Sequence, residues 1–343
     1  MKAIAITEYD LDAVGLTDVA DPEPGPGEVL VRVRAAALNR LDIWTASGAL
    51  PIEHRFPHVL GADGAGEIEA VGDGVKGLKP GTRVIINPGL SCGSCEFCRA
   101  GEQSLCTRFS MLGEHVAGTL AEKVALPAGN VFPFPAHLSF GEAAALGTTF
   151  ITAYRMLFVR GRMRPGEWVL ITGIGGGLAL SLFQLARPLA GRIFVTSSSR
   201  NKLDRVLEMG ADEAIDYAEQ DVGKQVRQVT GKRGVDLVVD SAAGASIDAS
   251  LRALRKGGRL VIAGATAGPK SEVDWRRVFW NQLEIIGSTM GSVADVSEML
   301  RMVAGAGLRP IIDRKFSFAE GADALRYMND GERFGKVVVE ING

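Results

Sequence analysis

Long apolar runs are absent from this 343-residue sequence, since none reaches the roughly 18 residues of a membrane-spanning helix. Residues 1–10 turn acidic before any apolar stretch long enough for a secretory signal, and their pattern favours a strand. An excess of one charge is also missing, because 38 basic residues face 40 acidic ones. Nothing therefore points to nucleic acid or an acidic membrane surface as a partner. We expect a cytosolic protein whose partner is a small molecule.

Cysteine is scarce as well, and all 4 cysteines fall between positions 92 and 106. A secreted disulfide framework would spread its cysteines and is most needed in a much smaller chain. The spacing C-x2-C-x2-C-x7-C of Cys92, Cys95, Cys98 and Cys106 can instead close a tetrahedron of thiolates around a structural zinc. The alternatives are an empty or oxidised site and a [4Fe–4S] cluster, whose common spacing ends in C-x3-C-P. We predict one structural Zn²⁺ in a lobe over about residues 88–112.

Two domains are expected from the length and from a change in the pattern of predicted strands and helices near position 150. Residues 1–149 contain short alternating segments such as 28–35, separated by proline and glycine turns, which predict a β-rich domain. Residues 150–287 alternate apolar strands with helices, which predicts βαβ units and a parallel sheet. Residues 288–343 return to the first domain and end in a strand over 333–341. The strands expected in the second domain are 168–172, 192–196, 213–217, 235–240 and 259–263, and the helices are 178–190, 200–209, 221–230 and 246–255.

A glycine-rich turn, Gly173-Ile-Gly-Gly-Gly-Leu-Ala179, follows the first expected strand of this series and opens a helix. Glycines let backbone N–H groups approach a pyrophosphate, and the helix N-terminus adds partial positive charge. The turn fits the spacing G-x-x-G-x-x-A better than G-x-G-x-x-G, with alanine at the helix-packing position. The alternative is a plain tight turn. We predict dinucleotide binding by Gly173, Gly175, Gly176, Gly177 and Leu178.

The second expected strand ends in hydroxyls and cations, with no acidic residue to bind the ribose of NAD. Ser197, Ser198, Arg200 and Lys202 could instead hold a 2′-phosphate through charge-assisted hydrogen bonds. We therefore predict NADP(H) over NAD(H). The alternative is that the serines and Asn201 simply cap the next helix. Further cofactor contacts are expected from residues after strands or at returns toward the cleft, namely Gly264, Ser288, Thr289, Met290 and Lys336.

The order of these motifs resembles that of the medium-chain zinc alcohol dehydrogenases and quinone oxidoreductases. The cysteine lobe, Gly61-Ala-Asp-Gly-Ala-Gly66, Gly118-Thr-Leu-Ala-Glu122 and the glycine-rich turn carry this likeness, which covers essentially the whole chain. It implies an α/β architecture: a GroES-like β-rich catalytic domain plus a Rossmann domain with a doubly wound parallel sheet. It also implies an active site in the cleft between the domains, and a homodimer or homotetramer.

The sequence departs from this family where a catalytic zinc would be bound. The resemblance places Asn39, Ala62 and Thr148 at the three ligand positions, and these residues cannot make a catalytic zinc site. The hydroxyl and imidazole of the family's proton relay are replaced by Leu41 and Trp44. Oxidising an alcohol without that metal would lose its main electrostatic support.

Hydride transfer to a quinone or a conjugated C=C needs less support, because a carbonyl already activates the carbon. The protein must orient two partners and stabilise an oxyanion. Asn39 is the first candidate donor, followed by Thr152 and Thr148. Asp42 and Asp63 would lie near the same cleft, where they more plausibly orient backbone, ribose or Arg40 than move a proton. We predict an NADPH-dependent quinone or enone reductase.

Two other functions stay open at this point. One is an alcohol or aldehyde dehydrogenase with an unconventional metal site that includes Asp63 and His58. The other is a dinucleotide-binding protein without significant catalysis. The remaining histidines, His54, His115 and His137, are expected in loop-packing or surface roles.

Overall fold

Two units divide the chain in the computed structural model, which describes residues 1–329, 331 and 333–341. One unit comprises Met1–Ile151 with Met290–Gly343, and the other comprises Thr152–Thr289. Each boundary falls two residues later than the expected 149/150 and 287/288 divisions. In the part of the chain that the structure describes, no helix has the length and apolarity of a membrane span.

The N-terminal segment of the first unit is built from strands whose apolar side chains alternate inward. In β3, Val29, Val31 and Val33 are buried, while Arg32 and Arg34 pair with glutamates on the neighbouring strand. This is the period of a half-buried strand. The elements are β1 (Lys2–Ile6), β2 (Val14–Asp18), β3 (Glu28–Ala37), α1 (Arg40–Ala46), β4 (His58–Val59), β5 (Asp63–Val71), β6 (Arg83–Ile86), β7 (Gly89–Leu90), α2 (Glu96–Arg99), β8 (Ser110–Met111), β9 (Lys123–Pro127), β10 (Val131–Pro133), α3 (Phe140–Ala144) and α4 (Gly147–Tyr154).

The second unit contains a six-stranded sheet of order β13-β12-β11-β14-β15-β16 in which every pair is parallel. That order is the dinucleotide-binding arrangement, in which ligands bind at the carboxyl ends of the strands. All six residues of β14 are buried, as expected for a sheet covered on both faces. The elements are β11 (Trp168–Ile171), α5 (Gly177–Ala186), β12 (Arg192–Ser197), α6 (Arg200–Glu208), β13 (Glu213–Asp216), α7 (Val222–Val229), β14 (Val235–Asp240), α8 (Ser246–Ala253), β15 (Leu254–Ile262), α9 (Trp275–Trp280) and β16 (Glu284–Gly287).

The C-terminal segment completes the sheets of the first unit. It contributes α10 (Val293–Gly305), β17 (Ile312–Ser317), α11 (Gly321–Asn329) and β18 (Lys336–Glu340). The main sheet has the order β10-β6-β5-β3-β18-β17, and β9 also pairs with β3. A second sheet has the order β2-β1-β4, and a β7-β8 pair brackets the cysteine segment. β18 therefore lies inside the main sheet, where it pairs with β3, a strand some three hundred residues earlier in the sequence.

Three expected boundaries in the second unit differ from the structure by two residues or more. Helix α8 ends at Ala253 and β15 already begins at Leu254, whereas a helix to 255 and a strand from 259 were expected. Leu254 pairs with Val235 on β14, and this tertiary contact overrides the turn-like Gly257-Gly258. Helix α5 ends at Ala186 and not at 190, because Pro188 has no N–H to continue it.

Candidate functional site

A buried polar cluster brings together four elements of the first unit. Asn39 precedes α1, Asp63 begins β5, Thr148 lies in the first turn of α4, and Lys336 begins β18. The exposed fractions of Asp63, Lys336 and Asn39 are 0%, 4% and 7%. The structure therefore places two of the family's expected metal-ligand positions, 39 and 148, on either side of one carboxylate.

Asp63 is the acceptor at the centre of this cluster. Its Oδ1 accepts from the Thr148 backbone N at 2.6 Å and from the Thr148 hydroxyl at 2.7 Å. Its Oδ2 accepts from Asn39 Nδ2 at 2.9 Å and from Lys336 Nζ at 3.0 Å. The Asp63 carbonyl accepts from the Thr119 hydroxyl at 2.8 Å. A buried carboxylate with this many donors is compensated for its lost hydration.

Lys336 supplies the only cation that contacts Asp63 among the described residues. Its ammonium donates to Leu38 O at 2.8 Å, to Asn39 Oδ1 at 2.7 Å and to Asp63 Oδ2 at 3.0 Å. These three bonds use all the donors of an ammonium group. Lys336, expected as a cofactor contact, thus has its charge and its hydrogens directed to oxygens of its own unit.

The amide of Asn39 is held at both ends. Its oxygen accepts from Lys336, and its nitrogen donates to Asp63 and, at 3.4 Å, to Ala37 O. The expected oxyanion donor therefore directs its N–H groups at protein oxygens. Thr148 likewise donates its hydroxyl hydrogen to Asp63. Thr152, one turn later on α4, is buried.

Asp42 lies next to this cluster and binds backbone. It is 1% exposed, and it accepts from the N–H of Asn39 at 2.6 Å and of Gly61 at 3.1 Å. Burial raises the pKa of Asp42 to about 6, the nearby charge of Asp63 adds to this rise, and the backbone donors and Lys336 oppose it. The titration of Asp42 is therefore shifted toward neutrality.

An apolar group adjoins the polar cluster at Ala62, the remaining one of the three positions where the family resemblance expects a zinc ligand. Ala62 is buried with Met111 and Met290, and Leu41 and Phe109 pack against them. Met290, expected as a cofactor contact, lies in the first unit with a positive φ of 47°. A methyl group, an amide and a hydroxyl at positions 62, 39 and 148 offer none of the thiolate or imidazole ligands that zinc prefers, so this donor set does not fit a catalytic zinc.

The histidines bond to backbone. His58, 7% exposed, has Nε2 at 3.1 Å from Gly113 O, and its burial lowers its pKa. His54 Nε2 lies 2.5 Å from Glu114 O, and His137 Nε2 lies 3.1 Å from Leu308 O. His115 Nδ1 accepts from Met111 N at 3.3 Å. An unconventional metal site made of Asp63 and His58 would have to break these bonds.

The four cysteines form a closed set of metal ligands. Their sulfur atoms all lie within 4.8 Å of one another, and no other group of three or more potential His, Cys, Asp or Glu ligands is found within the described ranges 1–329, 331 and 333–341. Cys95 Sγ and Cys98 Sγ are 3.5 Å apart, near the roughly 3.8 Å edge of a tetrahedron with 2.3 Å Zn–S bonds. Hydrogen bonds from the backbone of Ser94 and Cys95 lower the pKa of Cys92 to about 5. These residues fit a structural Zn²⁺.

The glycine-rich turn of the second unit leaves room for a dinucleotide. Gly173 and Gly175 have φ of 68° and 114°, which favour glycine. A Cβ added at Gly173 or Gly176 would meet no protein atom within 4 Å, so the backbone there faces open space. Gly177 and Leu178 form the first turn of α5, whose N–H groups suit a phosphate.

Polar side chains gather where β12 and β13 end. The Tyr217 hydroxyl donates to Ser198 Oγ at 3.1 Å, while Ser197 Oγ accepts from Ser199 N at 3.1 Å. Lys202 lies over the glycine-rich turn, because a Cβ atom added to Gly175 would lie 2.6 Å from the Cδ atom of Lys202. Arg200 is exposed and paired with Asp204. Sequence reasoning missed Tyr217, although its place directly after β13 puts it on the same sheet edge as Ser198.

Two hydroxyls of the second unit are buried and find no hydrogen-bond partner among the described residues: Thr172 Oγ1 and Ser288 Oγ. Thr172 directly precedes Gly173, and Ser288 directly follows β16. Both therefore lie at carboxyl ends of strands, where a bound dinucleotide would supply partners. Gly264, which follows β15, has a φ of 150° and would place a Cβ 2.5 Å from Ser241 O. Thr289 ends the second unit.

Comparison with protein families gives two matches along the chain. The alcohol dehydrogenase GroES-like domain matches residues 25–136. The zinc-binding dehydrogenase domain matches residues 177–305.

Whole-chain relatives include two kinds of named oxidoreductase. The crystal structure of an NAD-dependent alcohol dehydrogenase is 42% identical, with a TM-score of 0.95 and full coverage of both chains. An alcohol dehydrogenase of Geobacillus stearothermophilus is 32% identical over 100% of both chains. An acryloyl-coenzyme A reductase of Metallosphaera sedula is 28% identical over 99% of both chains.

Proposed function

This chain belongs to the medium-chain dehydrogenase/reductase superfamily, and from that premise we propose that it transfers a hydride from NADPH to a quinone or an α,β-unsaturated carbonyl compound, without a catalytic zinc. The observation that carries the proposal is the Asp63–Lys336 ion pair. It joins the side chains at positions 39 and 148, where the family resemblance expects zinc ligands.

This hydride transfer requires little of the protein beyond orienting the cofactor and the substrate. NADPH, when bound, supplies two electrons as a hydride to the β-carbon, and a proton from solvent completes the reduction at the α-carbon. The acryloyl-coenzyme A reductase among the relatives acts, by its name, on a conjugated acyl group.

Alcohol oxidation is the second candidate, and it is favoured by the relatives named alcohol dehydrogenase. Such a reaction would need a cation to stabilise the alkoxide. Asp63 would have to exchange Lys336 for that cation, because both of its oxygens are already occupied.

A substrate panel separates the two candidates. We expect purified enzyme with NADPH to reduce a quinone, a 2-alkenal or an acryloyl thioester, and we expect oxidation of simple alcohols with NADP⁺ to be slower by at least about 100-fold. Turnover of alcohols alone, together with two zinc ions per chain and loss of activity on chelation, would favour the second candidate.

The preference for NADPH is proposed from Ser198, Lys202 and Tyr217. The hydroxyls of Ser198 and Tyr217 lie where β12 and β13 end, and Lys202 lies over the adjoining glycine-rich turn. An ammonium and hydroxyls are suitable donors to a 2′-phosphate dianion, and no carboxylate ends β12 to bind a free ribose hydroxyl. Replacing Lys202→Ala should raise the KM for NADPH by about tenfold or more and change the KM for NADH little. Lys224→Ala, at an exposed position on α7, is the matched control. Equal effects on both cofactors would count against the preference.

We also propose that two copies associate through β16. This strand is the edge of the parallel sheet, and an unpaired edge can bond to its symmetry mate. Ile285 on the strand is 39% exposed, and Trp275, Phe279 and Trp280 on the preceding helix are 66%, 66% and 75% exposed. Such a concentration of exposed aromatic surface is typical of an interface.

A further inference from the structure

Lys336 and Asp63 form a buried ion pair, and such a pair is weak evidence for a contribution to the stability of the fold. Replacing a buried ion pair by apolar residues of similar size is often neutral or stabilising. At 4% exposure, Lys336 nevertheless keeps its charge inside the first unit, in contact with Asp63 at 0% exposure. A role in orienting neighbouring groups would account for an ion pair that packing alone does not need.

The orientation of two other side chains depends on this pair. Lys336 donates to the oxygen of the Asn39 amide and Asp63 accepts from its nitrogen, so the amide cannot rotate by half a turn without placing like groups together. Asp63 also accepts the Thr148 hydroxyl hydrogen, which leaves Thr148 Oγ1 with only acceptor capacity.

We infer that Lys336 is a positioning residue for hydride transfer: by pairing with Asp63 it fixes the Asn39 amide and keeps Thr148 as an acceptor. The inference rests on the proposed function. It differs from the expected role of Lys336 as a cofactor contact, because no N–H group of its ammonium is left over for a phosphate.

The loss of Lys336 has a definite electrostatic consequence. Asp63 would keep Asn39, Thr148 and the Thr119 contact to its carbonyl, but it would lose its cation while the charge of Asp42 stays close. A buried carboxylate without a cation takes up a proton more readily. A proton on Asp63 Oδ2, the oxygen that Lys336 no longer contacts, would turn that oxygen into a donor and reverse its hydrogen bond with the Asn39 amide.

Four proteins test this inference: wild type, Lys336→Met, the double variant Asp63→Asn/Lys336→Met, and the control Lys315→Met. Lys315 pairs with Glu340 at 2.7 Å on the exposed side of the same sheet. For each, kcat, the KM for NADPH and the thermal midpoint are measured between pH 5 and 9 with a conjugated carbonyl substrate.

In Lys336→Met we expect kcat to fall by about 10- to 100-fold, the scale of a misplaced reacting group, with the KM for NADPH nearly unchanged. The residual kcat should rise with pH, because ionised Asp63 still holds Asn39 and Thr148. The thermal midpoint should instead fall as pH rises, because ionising a buried, unpaired carboxyl disfavours the folded state. If the role of Lys336 were purely structural, kcat and the thermal midpoint of Lys336→Met would change with pH in the same direction. Relative to wild type, the double variant should show a low kcat and neither pH trend.

Three results would overturn the inference. They are an unchanged kcat in Lys336→Met, a raised KM for NADPH at unchanged kcat, and a wild-type kcat in the double variant. The last of these decides the matter if the single variant does not fold. Failure of the wild type to reduce any conjugated carbonyl or quinone would refute the proposed function itself, and it is distinguishable because it appears before any substitution is made.

Discussion

At the scale of single residues, Asp42 makes the stability of the first unit depend on pH. Its carboxyl binds two backbone N–H groups at the start of α1 and before β5, and burial holds its pKa at about 6 against an ordinary 3.8. A carboxyl whose pKa is raised by folding binds its proton more tightly in the folded state. The unfolded chain ionises first as pH rises, so unfolding becomes easier between about pH 4 and 6.

We expect the free energy of unfolding of the wild type to fall by about 2 kcal/mol more than that of Asp42→Asn between pH 4 and 7, since the pKa rises from 3.8 to about 6 and part of the shift already acts at pH 4. The variant itself should be less stable at pH 4, because an amide nitrogen would then face a backbone N–H. Urea unfolding at several pH values measures the difference. Asp12→Asn, at a largely exposed position, is the control, and parallel curves for wild type and Asp42→Asn would contradict the expectation.

The residues of the polar cluster were only partly predictable from the sequence. Asn39 and Thr148 were found because the family resemblance aligned them with ligand positions, and Asp63 because it directly follows Ala62, the residue at another of those positions. Lys336 was expected to contact the cofactor, because nothing along the chain indicates that β18 pairs with β3 and points this side chain at Asp63. Spacing patterns report local structure, whereas this contact is set by the pairing of distant strands.

At the scale of elements, we expect the cysteine segment between β7 and β8 to depend on a bound metal. It contains two short helical turns, Glu96–Arg99 and Gln103–Leu105, and little apolar material beyond its own sulfur atoms. Segments of this kind gain their folding energy from metal binding. The sequence sufficed to predict that the four cysteines come together, because they all lie within fifteen consecutive residues.

We expect about one zinc per chain in the wild type and less than about 0.2 in Cys106→Ser, with a lower thermal midpoint. Elemental analysis and calorimetry measure the two quantities. Ser94→Ala, which alters a neighbour of Cys92 but no ligand, should keep its zinc. Full zinc occupancy in Cys106→Ser would show that the site lies elsewhere.

The parallel sheet of the second unit was predictable for a similar reason, since its strands and helices alternate in chain order with clear apolar runs. All five expected strands are present, and the sixth, β16, was missed because Glu284–Gly287 has only two apolar side chains. The sheets of the first unit, antiparallel except for the β17–β18 pair, were expected only as a class. Their pairings join segments far apart in the sequence, such as β3 with β18.

At the scale of the whole molecule, the exposed edge at β16 sets the expected assembly. We predict that wild type sediments as a dimer and that Ile285→Lys weakens the dimer by about 100-fold or more, because two like charges would face each other across the two-fold axis. Analytical ultracentrifugation over a range of concentrations measures this. Leu16→Lys, at another exposed position on an edge strand, should leave association unchanged, and a monomeric wild type would refute the interface.

The position of β18 between β3 and β17 also has a consequence for biosynthesis. The second unit is one continuous stretch, Thr152–Thr289, and can fold as soon as it leaves the ribosome. The first unit cannot complete its fold until residues 336–340 emerge, because before then its main sheet lacks β18 between β3 and β17. Until then Asp63 lacks its counter-ion, so a nascent chain stalled before Lys336 would carry a folded second unit and an unfinished first unit.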